Sequence, residues 1–223
     1  MQIDVLTLFP NIYNALNESI VGKALDKGLF TVRVHNIRDF SKDKHKKCDD
    51  EPFGGGAGMV MTPQPIHDAI MAVDENHESF RIYLSPKGQK LDQKLVKKLS
   101  KKNKLLLLNG AFEGVDERII ELDIDMELSI GDYIITSGDF ASLVLINSIS
   151  RLVDGVLGSP LSVEEESFSS NLLEYPQYTR PQNFNGLEVP SILLSGNHYE
   201  IAKWRKNMSQ EITKKRRPDL LED

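Results

Sequence analysis

The sequence predicts an α/β fold with a mostly parallel sheet, followed by a small, mainly helical C-terminal domain. Three observations predict it. Short apolar segments alternate with amphipathic ones as far as Leu152. Three segments end in small or turn-forming residues: Leu84-Ser85-Pro86, Asn109-Gly110-Ala111 and Thr136-Ser137-Gly138. In open α/β sheets, ligands bind beyond the carboxyl ends of strands, so these three ends outline a candidate pocket. From Gly158 to Ser170 the composition turns to Gly, Ser, Pro and Glu, which marks a boundary.

Taken in order, Gln2 to Phe9 is apolar enough for a buried strand. Asn11 to Lys27 reads as one helix, with Pro10 before it and Gly28 past its end. Phe30 to Asn36 alternates as a second strand. Asp39 to Pro63 is polar and glycine-rich, a long loop, and Pro65 to Val73 is a helix. Arg81 to Leu84 reads as a strand that stops at Ser85. Leu91, Leu95 and Leu99 stripe the next helix, and Lys104 to Leu108 is the strand after it. Asp116 to Glu121 is a short helix, Met126 to Ser129 and Tyr133 to Thr136 are strands, and Phe140 to Leu152 is a helix. Asn197 to Met208 is the helix of the C-terminal part. The expected domains are 1–158, a flexible linker over 159–170, and 171–223.

Composition excludes several classes. The 223 residues are 40% hydrophobic and 27% charged, an ordinary globular balance rather than a disordered or fibrous one. Cys48 is the only cysteine, so no disulfide framework exists. No apolar run approaches the ~20 residues that span a bilayer. The start lacks a signal-peptide pattern, so the expected location is a reducing cytoplasm, with no membrane partner.

The net charge of −6 hides segregation. Lys203 to Arg217 holds seven basic residues and one acid, whereas Glu113 to Asp132 holds eight acids and one arginine. A basic face on an acidic chain attracts phosphates locally. The lysines of Lys94 to Lys104 read as a solvated helix surface. Trp204, set among Lys203, Arg205 and Lys206, suits a stacked, phosphate-bearing partner or burial at a subunit interface equally. Arg180 and the Lys42 to Lys47 stretch are further candidates for phosphate contacts.

Gly54 to Gly58 is not a P-loop, since Met59-Val60 follow where Lys-Ser/Thr is needed. The five histidines show no metal spacing and no Gly-x-Ser-x-Gly elbow exists.

Eight runs in order carry a family resemblance: Leu8-Phe9-Pro10, Asp49 to Met59 (DDEPFGGGAGM), Tyr83 to Gly88 (YLSPKG), Phe112 to Arg118 (FEGVDER), Ser129 to Tyr133 (SIGDY), Gly155 to Gly158 (GVLG), Tyr178 to Pro181 (YTRP) and Leu194 to His198 (LSGNH). Together they resemble the bacterial tRNA (guanine-N1)-methyltransferases of the TrmD type. The resemblance implies a SPOUT-class sheet with a deep trefoil knot, an exception to the no-knot rule. It implies a homodimer with the active site at the interface, S-adenosylmethionine as cofactor, and Mg²⁺ as an additional requirement. The implied reaction methylates N1 of guanosine 37 in tRNA when a guanosine precedes it.

Carried over by position, Tyr83, Leu84, Ser85 and Pro86 form the first cofactor loop. Gly110, Phe112, Glu113 and Gly114 form the second. Ile130, Gly131, Asp132, Tyr133, Ile134, Ile135, Ser137 and Gly138 form the third. Arg151 takes the place of the catalytic arginine and Glu166 that of the general base. That base is commonly Asp, and Phe112 stands where Tyr is frequent. The residues alone do not choose among Glu164, Glu165 and Glu166. Arg180, Asn197, His198, Trp204 and Arg205 are the expected RNA contacts, and Glu113 and Glu174 the candidate metal ligands. N1 of neutral guanine carries a proton, so a carboxylate to accept it and a guanidinium to meet charge building on O6 are the complementary pair. Two alternatives stand beside this reading: a knotted methyltransferase for another RNA position, and a catalytically weak RNA-binding protein.

Overall fold

The computed structural model describes residues 1–157, 166–168 and 170–222. Glu164, Glu165 and most of the segment expected as a linker lie outside them. The chain divides into two compact units, Met1–Gly158 and Ser159–Asp223.

The first unit is organised by its central strand. Leu105, Leu106, Leu107 and Leu108 are all fully buried. An uninterrupted apolar run suits a strand covered on both faces. Around it lies a five-stranded parallel sheet in the order β2-β1-β6-β5-β7. Its strands are β1 (Gln2–Thr7), β2 (Thr31–Asn36), β5 (Phe80–Lys90), β6 (Lys104–Asn109) and β7 (Met126–Ser129). A short antiparallel pair, β3 (Asp49–Asp50) with β4 (Val60–Met61), closes the base of the glycine-rich loop.

Successive side chains alternate across the sheet, and so does the core. Leu105 and Leu107 join Ile3, Val5 and Ile82 under helices α1 (Ser19–Asp26), α3 (Gln93–Leu99) and α5 (Gly138–Ser150). Leu106 and Leu108 join Leu6 and Tyr83 under α2 (Pro63–Asp74) and α4 (Glu117–Asp123). Among the described residues, no helix is long and apolar enough to cross a membrane.

Three expectations need correction. The helix read over Asn11 to Lys27 is a 3₁₀ segment, Pro10–Asn17, then α1. Ser19 takes a left-handed φ of 61° at the break. A side chain at Gly22 would sit 2.0 Å from the Asn17 carbonyl oxygen, so the pieces pack too closely for one continuous helix. The strand expected to stop at Ser85 resumes and runs to Lys90. Its register shifts between Leu84 and Gln89, both of which pair with Leu128. Pro86 has no N–H for the ladder, so the chain bows out there and returns. Tyr133 to Thr136 forms no strand; Tyr133, Ile134 and Ile135 are exposed beyond the end of β7.

Asp4 shows how strand pairing places a buried charge. Arg33 and His35, on the neighbouring β2, both reach it. Arg33 Nε and His35 Nε2 each lie 2.8 Å from its Oδ1. Burial alone would raise this carboxyl, but hydrogen bonds from His35, Arg33 and Gln2 outweigh burial and hold it at about 2. The folded pKa is therefore below the unfolded one. The stabilisation is full above pH ~4 and lost as pH falls toward 2, on the order of 2 kcal/mol because Arg33 is half in water. Urea unfolding at pH 6 and pH 3 should show a smaller acid loss for Asp4→Asn than for the parent. Equal losses would place the acid sensitivity elsewhere.

In the second unit, α6 (His198–Arg216) is longer than expected and is N-capped by Asn197, which accepts from Glu200 N–H. A hairpin, β8 (Asn183–Phe184) with β9 (Leu187–Glu188), turns at Asn185-Gly186, both at positive φ. Thr213, fully buried on α6, accepts from Leu173 N–H at 2.8 Å through its hydroxyl, tying the helix to the preceding chain.

Candidate functional site

The bow in β5 at Ser85 to Lys87, the end of β6 and the segment following β7 enclose a cavity of about 300 Å³. That volume is at the lower end of small-molecule sites. Every expected cofactor residue lines it except Asp132, whose exposed carboxylate lies 3.1 Å from Lys90 Nζ. Glycines allow the loops to meet. A side chain at Gly110 would sit 2.7 Å from the Tyr83 hydroxyl, and one at Gly138 would sit 3.1 Å from Leu84 Cβ and 3.2 Å from Asn109 Cα. Gly138 N–H instead donates to the Gly110 carbonyl at 2.9 Å, and Ala111 bridges Ser137. The second and third loops are thus joined through backbone.

Burial pushes the Tyr83 phenol above its ordinary pKa, a backbone hydrogen bond from Val115 opposes that shift, and Glu127 and Glu117 reinforce it. Phe112 adopts a left-handed φ of 58° and holds its ring half-exposed. Glu117 and Glu127 also line the cavity beside Glu113, with Lys87 3.6 Å from Glu117. Sequence reasoning missed Glu117, Glu127 and Lys87. The acid-rich stretch from Glu113 to Asp132 was the signal for the two glutamates, but it did not say which acids face inward.

The glycine-rich loop backs directly onto the loop at 110–114. Met61 N–H donates to Gly114 O at 2.9 Å and Glu113 N–H to Met59 O at 3.0 Å. A side chain at Gly58 would lie 2.5 Å from Glu113 Cγ. At the other end of this loop the Phe53 ring is wholly in solvent.

Arg151 caps the C-terminal end of α5, whose N-terminal residues Ser137, Gly138 and Ala141 belong to the cavity. Thirteen helical residues put the two ends ~20 Å apart. Phe140, Val144 and Asn147 fall on the same helix face as Arg151, and all three are exposed, Phe140 by 48% and Val144 by 45%.

The expected RNA contacts divide. Arg180, Asn197 and His198 are exposed. Trp204 and Arg205 are half-buried and occupied within their own unit: Trp204 packs 6.4 Å from Tyr178, and the Arg205 guanidinium lies over the Tyr175 ring. In the Lys42 to Lys47 stretch, Lys42, Lys46 and Lys47 are ion-paired with Asp68, Asp39 and Asp50, which reduces the positive field offered there. Among the described residues, no three His, Cys, Asp or Glu side chains gather as a metal site. Glu113 and Glu174 are not joined in such a group, and Glu174 accepts from Gln177.

Comparison with known proteins adds names to this geometry. A family model described as tRNA (Guanine-1)-methyltransferase TrmD matches residues 1–223. The chain is 54% identical over 224 residues to a tRNA (guanine-N(1)-)-methyltransferase of Clostridioides difficile, covering 99% of this chain and 97% of the relative. It is 55% identical over 222 residues to one of Carboxydothermus hydrogenoformans, covering 99% of this chain and 87% of the relative.

Proposed function

We infer the function from one premise: the chain belongs to the tRNA (guanine-1)-methyltransferase TrmD family. It is accordingly a tRNA (guanine-N1)-methyltransferase. Its methyl donor, we propose, is S-adenosylmethionine, held in the cavity at the ends of β5, β6 and β7, and its acceptor is guanosine 37.

The observation that carries the donor assignment is the fit of that cavity. Its walls supply apolar side chains such as Leu84, Pro86 and Ile135 for a heterocycle, and loop backbone for its polar edge. Glu113, Glu117 and Glu127 outnumber Lys87, an acidic balance suited to a cationic ligand. The bound donor supplies an electrophilic methyl on its sulfonium. The protein must supply the rest: the guanine N1 proton has to leave, and charge on O6 must be met. We assign the proton to Glu166 and O6 to Arg151, on the resemblance already described.

The knot and the dimer belong to the same proposal. Close approach of Gly138 to Leu84 and Asn109 supports passage of the chain between the ends of β5 and β6, as a trefoil knot requires. Arg151, ~20 Å along α5 from Gly138, lies far from the cavity end of its own helix. The exposed Phe140–Val144 face leading to Arg151 supports a second copy seated there, which would bring Arg151 to the other chain's donor. The second unit, with Arg180, Asn197 and His198 exposed, is proposed to grip tRNA.

The decisive assay incubates the protein with labelled S-adenosylmethionine and tRNA transcripts bearing G or A at position 37. Label at N1 of G37 alone is expected; equal labelling of both transcripts would reject the acceptor assignment. Phe140→Asp with Val144→Asp should give a monomer by sedimentation and at least a ~10-fold loss of transfer, since burying a charge in an apolar interface is strongly unfavourable. A dimer that persists would move the interface elsewhere.

A further inference from the structure

Asp139 is 1% exposed, and no lysine, arginine or histidine among the described residues forms an ion pair with it. Its carboxylate is met by hydroxyls. Tyr13 donates to Oδ1 at 3.0 Å and Ser137 donates to Oδ2 at 2.9 Å. The Tyr13 hydroxyl in turn accepts from Asn109 Nδ2 at 3.0 Å, and the same amide nitrogen donates to the Leu6 carbonyl at 3.0 Å. Ser142 donates to Asn109 Oδ1 at 2.5 Å. Burial first, and then the neighbouring Asp139, push the Tyr13 phenol far above its ordinary range, so it remains a donor. Asp139 also lies in the first turn of α5, where backbone N–H groups favour negative charge.

A buried carboxylate without a cation is a poor source of stability, because desolvation opposes it. What the arrangement does supply is position. It joins the end of β1, the 3₁₀ segment, the end of β6 and the start of α5. Its members adjoin the cavity wall directly: Asn109 precedes Gly110, and Ser137 lines the cavity itself. The backbone bond from Gly138 to Gly110, which joins the two cofactor loops, lies between those residues.

We propose that Asp139 is a positioning residue for the methyl donor. Held by Tyr13 and Ser137, with Tyr13 anchored by Asn109, it fixes the loops at 110–114 and 130–138 in the arrangement that accepts the donor. It touches neither the donor nor guanine. The proposal rests on the reading of the cavity as the donor site.

The test measures donor affinity by calorimetry, and kcat and KM for donor and tRNA separately, on Asp139→Asn, Tyr13→Phe and the double variant. Asparagine keeps one acceptor oxygen but loses the charge and presents a donor where the second hydroxyl donates, so Asp139→Asn should weaken donor binding about 10- to 100-fold. The kcat at saturating donor and the KM for tRNA should stay within about 3-fold. The double variant should lose no more donor affinity than Asp139→Asn alone, because both changes break one unit. A residue that merely supports folding would lower thermal stability and the active fraction while leaving donor KM unchanged, and that result overturns the proposal. Multiplicative losses in the double variant overturn it as well. Should Asp139→Asn not fold, Tyr13→Phe with unaltered donor affinity still rejects it. A parent protein that binds no S-adenosylmethionine would instead reject the reading of the cavity, an outcome visible before any variant is made.

Discussion

Glu166→Gln is expected to lower kcat by ~10²–10⁴-fold, with donor KM little changed. Neutral guanine has no free lone pair in the ring plane at N1; the lone pair that attacks the methyl is exposed only as the proton leaves. Glutamine keeps the shape of the side chain but accepts no proton, so the loss measures general-base catalysis, whose usual contribution has that size. Glu166→Asp should retain much of the activity if the carboxylate still reaches N1. Arg151→Ala should fall in the same range or below it, with donor affinity retained, because its proposed role begins only as charge develops on O6. Single-turnover rates with saturating tRNA and donor separate these outcomes from binding defects. Near-parental turnover by Glu166→Gln would shift the proton to another group. Lost donor affinity in Arg151→Ala would make that arginine a structural element of α5.

How much of this was readable from the sequence varies with the distance over which the determining contacts act. The central strand was legible because Leu105 to Leu108 need no partner to declare themselves: an unbroken apolar run bounded by turn residues fits a strand buried on both faces. The three cavity loops were legible as strand ends. The continuation of β5 was not, because Ser85 and Pro86 are local stop signals and the resumption depends on Leu128 in another strand. Tyr133 to Thr136 has the aromatic and β-branched residues of a strand, yet these residues turn toward a cavity and solvent instead of a sheet neighbour. Trp204 and Arg205 read as candidate RNA contacts because their sequence neighbours are basic, with burial of Trp204 at an interface the equal alternative. Their packing on Tyr178 and Tyr175 follows from contacts ~25 to 30 residues away that no periodicity reports. The Asp139 network is the extreme case, joining Tyr13 to a carboxylate 126 positions distant.

The largest structural effect is expected at Gly88, where adding one methyl should prevent the first unit from folding stably. A Cβ there would lie 2.3 Å from both the Glu127 carbonyl carbon and the Leu128 nitrogen, and 2.6 Å from the Glu127 oxygen. These are backbone atoms of β7, which pairs with β5 on either side of the bow at Ser85 to Gly88. A rotamer change cannot relieve the overlap; the two strands must separate. Separation would break the second pairing, Gln89 with Leu128 and Lys90 with Ser129, and would displace Ser85, Pro86 and Lys87 from the cavity. A loss above ~4 kcal/mol is expected for Gly88→Ala, a large share of the stability of a domain this size. Gly28→Ala is the informative control. Gly28 has a left-handed φ of 66° but nothing within 4 Å of the added carbon, so only conformational strain of about 1 kcal/mol opposes the change. Thermal unfolding followed by near-ultraviolet circular dichroism should show Gly28→Ala melting a few degrees below the parent and Gly88→Ala without a cooperative native signal. Similar behaviour of the two variants would mean that β5 and β7 part easily at position 88, and that their close approach there is not what holds the cavity in shape.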